Sequence, residues 1–393
     1  MTETYGKTKV ACYIGYVVQA IINNYFPILF IIFESKYSLS YEKLGRIIFI
    51  NFLVQIVADL LTPAIAKRIG YKGTAVLCHA ITAVGFCLLS VLPKFMDNTY
   101  LAILISVSIC AIGSGIIEVV VSPIVELLPT KNKGANMAFL HSFYCWGQAF
   151  TVIVTTALVY IFGYNNWQYI PLVWAIVPLS NMFFFESVSV VEPNKNERIP
   201  TAKEMLLTRE FFCFVIFMVC AGASEIAMAD WTSFFAQTRL GVSKVMGDLL
   251  GPCAFAIFMG TGRIVYGALS GKCSIRKVLI LNNLLCFLCY VGVALFESPV
   301  ISLIACALCG FSVSLSWPGT LSIAAARFKN GGTVMFSLFA LSGDLGCSTG
   351  PWLLGIIADN LGFKWGFLSC AVFPLAFILA ATLLIKEKDC KVN

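Results

Sequence analysis

Three carboxylates lie near the middle of long apolar runs of the sequence: Glu118, Glu225 and Asp344. An ionisable group in such a run, if the run crosses a bilayer, usually serves a substrate path, a proton relay or a buried ion pair. Glu118 shares a helical face with Gly115 and Ser122, so we expect its side chain to face other helices. A carboxyl group in that position can take up and release a proton, or it can be a permanently hydrogen-bonded structural acid.

Further charges accompany Glu225 in the second half of the chain. Glu225 and Asp230 are separated by about 140° around a helix, so they cannot face the same point. We predict that Glu225 reaches the binding site and shares proton coupling with Glu118, while Asp230 bonds locally or pairs with Arg263. Asp344 either faces the same site or is the buried partner of Arg263. A structural charge network is predicted to contain Lys67, Arg68, Arg263 and Asp344.

Uncharged polar and aromatic side chains punctuate the same apolar runs. The first run carries Gln19, Asn23 and Asn24, and the second carries Asn51 and Gln55. Amides, carboxylates and flanking aromatic rings suit a hydroxyl-rich ligand, although a single aromatic residue in a membrane more often serves packing. The predicted substrate-binding residues are Asn23, Asn24, Glu118, His141, Tyr144, Gln148, Glu225, Trp231 and Trp317.

The composition places these residues in a membrane protein. Hydrophobic residues make up 59% of the chain and charged residues only 12%. Residues 134–185 and 298–326 contain no Asp, Glu, Lys or Arg. A bilayer core needs roughly 20 apolar residues per helix, so the first stretch holds two spans and the second holds one. The basic residues are scattered, which argues against nucleic-acid binding, and the sequence has no phosphate-binding glycine loop.

We predict an all-α membrane protein with twelve transmembrane helices. Their predicted ranges are 9–33, 43–66, 73–93, 99–128, 135–161, 167–186, 211–238, 246–271, 276–296, 300–326, 333–357 and 365–386. A cytoplasmic N-terminus puts most of the 27 Lys and Arg on the cytoplasmic side, so both termini are predicted to lie there. The uncharged first run is too long for a cleavable signal peptide, and we expect a multi-pass protein of the cell membrane.

A repeated phrase divides the chain into halves. Residues 131–137 (KNKGANM) return as residues 329–335 (KNGGTVM), and Gly163 returns as Gly362. Duplication on this scale is typical of secondary transporters, whose binding sites lie where the two repeats meet. We predict two pseudo-symmetric six-helix bundles, over residues 1–186 and 211–393, joined by a cytoplasmic linker over residues 187–210.

The 16 cysteines are predicted to be buried free thiols, because nearly all lie within predicted helices. Cys286-x-x-Cys289 and Cys306-x-x-Cys309 match a zinc-ribbon spacing. Lipid-facing helices, however, do not readily supply the thiolates and outer-shell donors that zinc requires. We therefore predict neither a metal nor a cofactor.

Five short segments carry a family resemblance. They are the Asn23-Asn24 pair, the loop of residues 63–73, residues 113–123 around Glu118, residues 140–147 and the Gly350-Pro351 step. Together they resemble the major facilitator superfamily and, within it, the fucose permease-like sugar:proton symporters, over the whole length of the chain. The wider superfamily prefers Gly and Asp at two positions of this loop. This chain has Pro63 and Lys67 there, and in this respect it is similar to the fucose-type proteins.

The resemblance implies a major facilitator fold in which two bundles give alternating access to a central site. It also implies that Glu118 is the membrane-embedded acid that binds proton and sugar. One position departs from the family pattern: members with a characterised proton pathway carry an acid three residues after the Asn pair, where this chain has Pro27. Either Glu118 works alone, or Glu225 substitutes for the missing acid, or the chain couples to sodium or to no ion.

The predicted function is cation-coupled import of a small polyhydroxylated solute, most simply a monosaccharide, by a protein that is not an enzyme. Its expected partners are that solute, a proton or sodium ion and the lipid bilayer, and we expect a monomer that binds no nucleic acid. A uniporter or exporter of another small organic solute is the alternative. A polytopic membrane enzyme or sensor is the less favoured third alternative, because it would need a catalytic cluster at an interface or an appended domain, and the short loops provide neither.

Overall fold

The apolar runs of the sequence fold into long α-helices, because a helix pairs its own backbone polar groups where water is absent. The structure is a computed structural model. It describes residues 5–39, 41–130, 132–192, 202–206, 208–243, 246–247, 249–269, 274–296, 298–328 and 331–384. Lys131, Lys329 and Asn330 of the repeated phrase, and residues 193–201 and 207 of the predicted linker, lie outside the described residues.

The described residues form helices joined by short connections, with no β-strand among them. The helices are α1 (Gly6–Ile28), α2 (Phe30–Tyr37), α3 (Tyr41–Phe95), α4 (Thr99–Leu127), α5 (Lys133–Phe162), α6 (Tyr169–Ser187), α7 (Ala202–Leu206), α8 (Arg209–Leu240), α9 (Ala254–Leu269), α10 (Ile275–Leu295), α11 (Pro299–Val313), α12 (Ser316–Arg327), α13 (Gly332–Leu361), α14 (Phe363–Cys370) and α15 (Val372–Leu384). A 3₁₀ turn (Tyr164–Asn166) follows α5, and a π-helical turn (Leu249–Cys253) leads into α9.

Glycine and proline explain where several helices bend or break. Gly70 has φ 76° and ψ 171°, outside the helical region, so α3 consists of two helical arms that meet at this residue. Pro252 lies in the π-helical turn, where its missing N–H weakens ordinary helical bonding. The tenth predicted span breaks at Ser314 and Leu315, shortly before Pro318, and therefore forms two helices, α11 and α12.

Nine helical segments of the described residues are long and apolar enough to cross a membrane. They are Arg46–Phe95, Thr99–Leu127, Lys133–Phe162, Tyr169–Ser187, Arg209–Thr232, Leu249–Ala268, Ile275–Leu295, Pro299–Arg327 and Phe363–Thr382. The first of them covers residues 46–66 of the second predicted span and the whole of the third. The first and eleventh predicted spans fall on α1 with α2 and on α13, which are not among the nine. The count of twelve spans stays a prediction.

The chain divides into two units of dense internal packing. Unit 1 comprises Met1–Leu128 and Phe150–Lys195, and unit 2 comprises Pro129–Ala149 and Asn196–Asn393. In unit 1, α3 packs along α4 and α6, and α1 packs against α4. In unit 2, α8 packs along α13, while α11 packs against α9 and α10. The predicted boundaries of the two bundles and the linker stay predictions.

The two copies of the repeated phrase introduce helices of equal length. α5 and α13 each contain 30 residues. Each is followed by a glycine in nearly the same conformation: Gly163 has φ 71° and ψ 165°, and Gly362 has φ 88° and ψ 162°. Residues other than glycine rarely adopt a positive φ, so α5 and α13 both end at a position that favours glycine.

Candidate functional site

Three helices of unit 1 present polar side chains to one another at intervals of one turn. We call this set the polar ladder; it contains Tyr16, Gln19 and Asn23 of α1, Asn51 and Gln55 of α3, and Ser114, Glu118 and Ser122 of α4. Residues three or four apart lie on one face of a helix, so hydrogen bonds between the helices recur once per turn.

Glu118 lies at the middle of the polar ladder. Its Oε2 accepts hydrogen bonds from Nε2 of Gln19 at 2.6 Å and from Nε2 of Gln55 at 3.0 Å. Gly115 allows α4 to approach α3 closely, because a Cβ there would lie 2.7 Å from the backbone oxygen of Gln55. Glu118 is only 7% exposed. Two amide donors on Oε2 orient the carboxyl group, and a proton bound to it would reside on Oε1.

The polar ladder continues for one turn on each side of Glu118. Oδ1 of Asn23 accepts hydrogen bonds from Nδ2 of Asn51 at 3.2 Å and from Oγ of Ser114 at 3.3 Å. On the other side, the hydroxyl oxygens of Tyr16 and Ser122 lie 2.8 Å apart. Three successive turns of α1 are thus joined by side chains to α4, and two of them involve α3 as well.

Two amide oxygens of the polar ladder have no donor among the residues that the structure describes: Oε1 of Gln19 and Oδ1 of Asn51. Both side chains are buried. A buried acceptor without a donor costs about 1–3 kcal/mol, which a ligand hydroxyl or a bound water can offset. The polar ladder is therefore suited to a ligand rich in hydroxyl donors.

A buried guanidinium on α9 contacts three other parts of unit 2: α5, α8 and the break between α11 and α12. Arg263 of α9 is 2% exposed. Its Nε donates to the backbone oxygen of Ser314 at 2.9 Å, and its Nη1 donates to the backbone oxygen of His141 at 2.5 Å. Nη2 lies 3.5 Å from Sδ of Met259 and 3.7 Å from Oε2 of Glu225. The group therefore binds two carbonyls firmly and neutralises one carboxylate at a longer distance.

The acids near Arg263 differ in burial. Glu225 is buried on α8 and makes the ion pair with Arg263, while Asp230, on the same helix, is exposed. Which of the two acids faces the binding site stays a prediction. Asp344 is buried on α13 with 2% exposure, and its predicted roles stay predictions.

The two candidate tryptophans pack within unit 2. Nε1 of Trp231 donates to the backbone oxygen of Pro351 at 3.0 Å, and its ring lies against Phe363 at a centroid distance of 5.9 Å. The ring of Trp317 lies against Gly343, where an added Cβ would overlap it. Both side chains thus have structural contacts, and their contact with substrate stays a prediction.

The remaining candidates are distributed over both units. His141, Tyr144 and Gln148 lie in the part of α5 that belongs to unit 2, and of these only Tyr144 is half-buried rather than buried. Asn24 donates to the backbone oxygen of Ala20 in its own helix at 2.9 Å. Lys67 and Arg68 are exposed at the end of the first arm of α3.

The bend of α3 is held by a residue that sequence reasoning did not single out. The carboxylate of Glu192 accepts hydrogen bonds from the backbone N–H groups of Tyr71 at 2.8 Å and Lys72 at 3.1 Å. Both N–H groups lie at the start of the second arm, directly after Gly70, where an anion is favourable. Nζ of Lys72 also donates to the backbone oxygen of Glu186 at 2.6 Å, so the end of α6 is tied to the bend.

The two Cys-x-x-Cys pairs meet inside unit 2. Sγ of Cys286 and Sγ of Cys309 lie 3.8 Å apart, and both cysteines of each pair are buried and free. Over the described residues, no group of three or more His, Cys, Asp or Glu side chains is arranged to hold a metal ion.

Six members of the polar ladder were not among the predicted substrate-binding residues: Tyr16, Gln19, Asn51, Gln55, Ser114 and Ser122. A signal for them is present in the sequence, since Gln19 precedes Asn23, Asn51 precedes Gln55 and Ser114 precedes Glu118 by four residues each. The pairing of those three faces, in contrast, depends on how the helices pack. Ser314 acts through its backbone oxygen, for which its residue type gives no signal.

The Major Facilitator Superfamily sequence family matches residues 12–351 of the chain. The chain belongs to this superfamily. It is therefore a multi-pass membrane protein of a transporter family. No curated protein sequence matches the chain.

Solved structures of the superfamily share the fold over almost the whole chain. Two structures of FucP, the fucose:proton symporter of E. coli, align with TM-scores of 0.82 and 0.80 at 15% and 16% identity, covering 98% of this chain and 100% of theirs. The proton:xylose symporter XylE aligns with a TM-score of 0.77 at 11% identity, covering 97% and 95%. The human organic anion transporter MFSD10 aligns with a TM-score of 0.77 at 13% identity, covering 95% and 99%.

Proposed function

We propose that this superfamily member is a secondary active transporter that imports a small polyhydroxylated solute, most simply a monosaccharide, together with a proton or another cation. The observation that carries the proposal is the polar ladder. It combines a buried carboxylate, held by two amides, with nearby amide oxygens that have no donor among the described residues. Two of its structural neighbours, FucP and XylE, are named as proton symporters of fucose and xylose.

A sugar complements the polar ladder because each of its hydroxyl groups can donate and accept. Donation to Oε1 of Gln19 and to Oδ1 of Asn51 would satisfy two buried acceptors, and Glu118 can accept a further hydroxyl. In this proposal Asn23 and Asn24 contact the same solute from α1. His141, Tyr144, Gln148, Glu225, Trp231 and Trp317 are proposed to contact it from unit 2.

Glu118 is the proposed proton carrier. Oε2 can accept the amide hydrogen bonds of Gln19 and Gln55 in both the ionised and the protonated carboxyl group, although the carboxylate is the stronger acceptor. A proton can therefore be added to or removed from Oε1 without breaking those two bonds. Glu225 is the second candidate carrier, because Pro27 occupies the position at which family members carry another acid; sodium remains the alternative cation.

The proposal includes the arrangement in the membrane. Twelve transmembrane helices form two six-helix bundles, joined through residues 187–210, that give alternating access to a central site. Both termini lie in the cytoplasm, the protein resides in the cell membrane as a monomer, and it has no enzymatic activity or bound cofactor. Cysteine labelling from either side of the membrane, at Gly6 and at Asp97, tests the orientation: Gly6→Cys should react only from the cytoplasmic side and Asp97→Cys only from outside.

Uptake into proteoliposomes that contain the full chain tests the transport proposal. With acid outside, L-fucose, D-xylose and D-glucose are offered separately, and at least one should accumulate. Glu118→Gln should abolish this pH-driven accumulation and leave sugar counterflow intact, because exchange without net proton movement does not need the carboxyl group. Asp97→Asn, which removes an exposed carboxylate between α3 and α4, is the matched control and should retain accumulation. Accumulation that survives Glu118→Gln would refute the proton assignment.

A uniporter or exporter of another small organic solute is the second candidate. It is favoured by Pro27, which stands where proton-coupled family members carry a second acid. MFSD10, another structural neighbour, is named as an organic anion transporter. Thermal stabilisation of the purified protein by a panel of sugars and organic acids separates the two candidates: stabilisation by organic acids alone would favour the second.

A further inference from the structure

The break between α11 and α12 leaves the backbone carbonyl of Ser314 without its helical partner. In an α-helix the N–H of each residue donates to the carbonyl four residues earlier. Pro318 has no N–H, so it cannot donate to the carbonyl of Ser314. Helical bonding resumes at the next position, where the N–H of Gly319 donates to the backbone oxygen of Leu315 at 2.8 Å. Because Ser314 is buried, its carbonyl needs a donor from within the protein.

Arg263 supplies that donor. Its Nε lies 2.9 Å from the backbone oxygen of Ser314, a distance typical of a strong hydrogen bond. The preceding residue, Gly262, allows α9 to come this close, because a Cβ there would lie 2.5 Å from Oγ of Ser314. Nε–H of Arg263 thus donates the hydrogen bond to Ser314 that a backbone N–H at residue 318 would donate in an uninterrupted helix.

The rest of the guanidinium connects the break to two other helices of unit 2. Nη1 donates to the backbone oxygen of His141 on α5, and Nη2 lies 3.7 Å from Oε2 of Glu225 on α8. A planar fork with donors in several directions can serve all three groups at once. A lysine in the same place would keep the charge near Glu225 but could not reach both carbonyls.

We propose that Arg263 is a positioning residue whose guanidinium replaces the missing N–H of Pro318 and ties the α11–α12 break to α5 and α8. The proposal does not depend on the solute that the chain transports. It makes the effect of changing Arg263 conditional on the proline: once residue 318 has an N–H of its own, the carbonyl of Ser314 no longer needs the guanidinium.

A double-mutant cycle on the full chain in detergent tests this dependence. Arg263→Lys preserves the charge opposite Glu225 and should lower the melting temperature by about 5 °C or more, because two buried carbonyls lose their donor. Pro318→Ala restores a backbone N–H at the break. In the Pro318→Ala background, Arg263→Lys should lower the melting temperature by at most half as much as it does in wild type. The backbone N–H of residue 318 then satisfies the carbonyl of Ser314, and only the carbonyl of His141 loses its donor.

Pro351→Ala is the matched control, because it restores an N–H inside α13, away from the break. In the Pro351→Ala background, Arg263→Lys should lower the melting temperature by as much as it does in wild type. Equal costs in the wild-type and Pro318→Ala backgrounds, or no cost at all, would overturn the proposal, as would rescue by Pro351→Ala. If Pro318→Ala does not yield folded protein, Pro318→Gly supplies the same N–H and is judged by the same criterion.

Discussion

The side-chain amide of Gln19 lies 2.6 Å from Oε2 of Glu118, on a helix that is 99 residues away in the sequence. Gln55 donates to the same oxygen at 3.0 Å. These two contacts turn an isolated acid of α4 into the centre of a network across α1, α3 and α4. The network gives the carboxyl group one orientation, so its effect on transport can be tested through either amide.

Replacing Gln19 by methionine should lower pH-driven sugar uptake by roughly tenfold or more. The substitution keeps the length of the side chain but removes the donor to Glu118 and the free acceptor Oε1. Hydrogen bonds to charged groups contribute about 1.5–3 kcal/mol, and 1.4 kcal/mol corresponds to a factor of ten. Initial uptake rates in proteoliposomes measure the loss.

Ser180→Ala is the control for the Gln19 substitution. Ser180 also lies in unit 1, but it is exposed and its hydroxyl donates to the backbone of its own helix at Ile176. Its replacement should leave the uptake rate within about twofold of wild type. If Gln19→Met transports as fast as Ser180→Ala, the amide of Gln19 does not contribute to transport.

The sequence identified the positions of most helices because hydrophobic runs of about 20 residues have few alternatives in a bilayer. It also indicated that Glu118 faces other helices, since Gly115 and Ser122 share its face. The structure adds that Gly115 lies where α4 meets α3, close to the backbone of Gln55. The sequence could not indicate which residues of α1 and α3 reach Glu118, because the relative register of three helices depends on their packing.

The surroundings of Arg263 show a second limit of sequence analysis. Asp230 and Asp344 were the partners of Arg263 that the sequence suggested, whereas the ion pair in the structure is with Glu225. The guanidinium also donates to the backbone oxygens of Ser314 and His141. Every residue has a backbone carbonyl, so the residue types do not indicate which carbonyls it binds. Only the position of Pro318 indicated that a carbonyl would be left without its donor.

Replacing Glu192 by alanine should destabilise unit 1 by about 0.5–2 kcal/mol. This is the usual cost of losing a side chain that caps the N-terminus of a helix, and Glu192 caps the N–H groups of Tyr71 and Lys72. Glu192→Gln keeps one acceptor and should lose less than Glu192→Ala. Thermal unfolding in detergent measures both, and identical curves for wild type and Glu192→Ala would show that the cap is not needed.

Substituting alanine for Gly163 and for Gly362 should destabilise the protein to a similar extent, by about 1–2 kcal/mol each. No atom lies within 4 Å of a Cβ at either position, so the cost comes from the backbone conformation alone, which essentially only glycine adopts. Gly6→Ala is the control: its Cβ also meets open space, but its φ is not positive. Thermal unfolding should show two equal losses and a neutral control; unequal losses would argue that the repeated glycines serve different purposes.

Gly346→Ala should separate α8 from α13 and lower the stability of unit 2 by about 1–3 kcal/mol. A Cβ at Gly346 would lie 2.1 Å from the backbone oxygen of Val219, and a backbone atom cannot move aside as a flexible side chain can. The same change at Gly267 of α9 meets only the backbone oxygen of Ala135 at 3.7 Å. Because alanine favours a helix over glycine by about 1 kcal/mol, Gly267→Ala should be neutral or slightly stabilising. The melting temperature should therefore fall for Gly346→Ala and stay the same or rise slightly for Gly267→Ala. If both variants lower it equally, the close contact between α8 and α13 is not the cause of the loss.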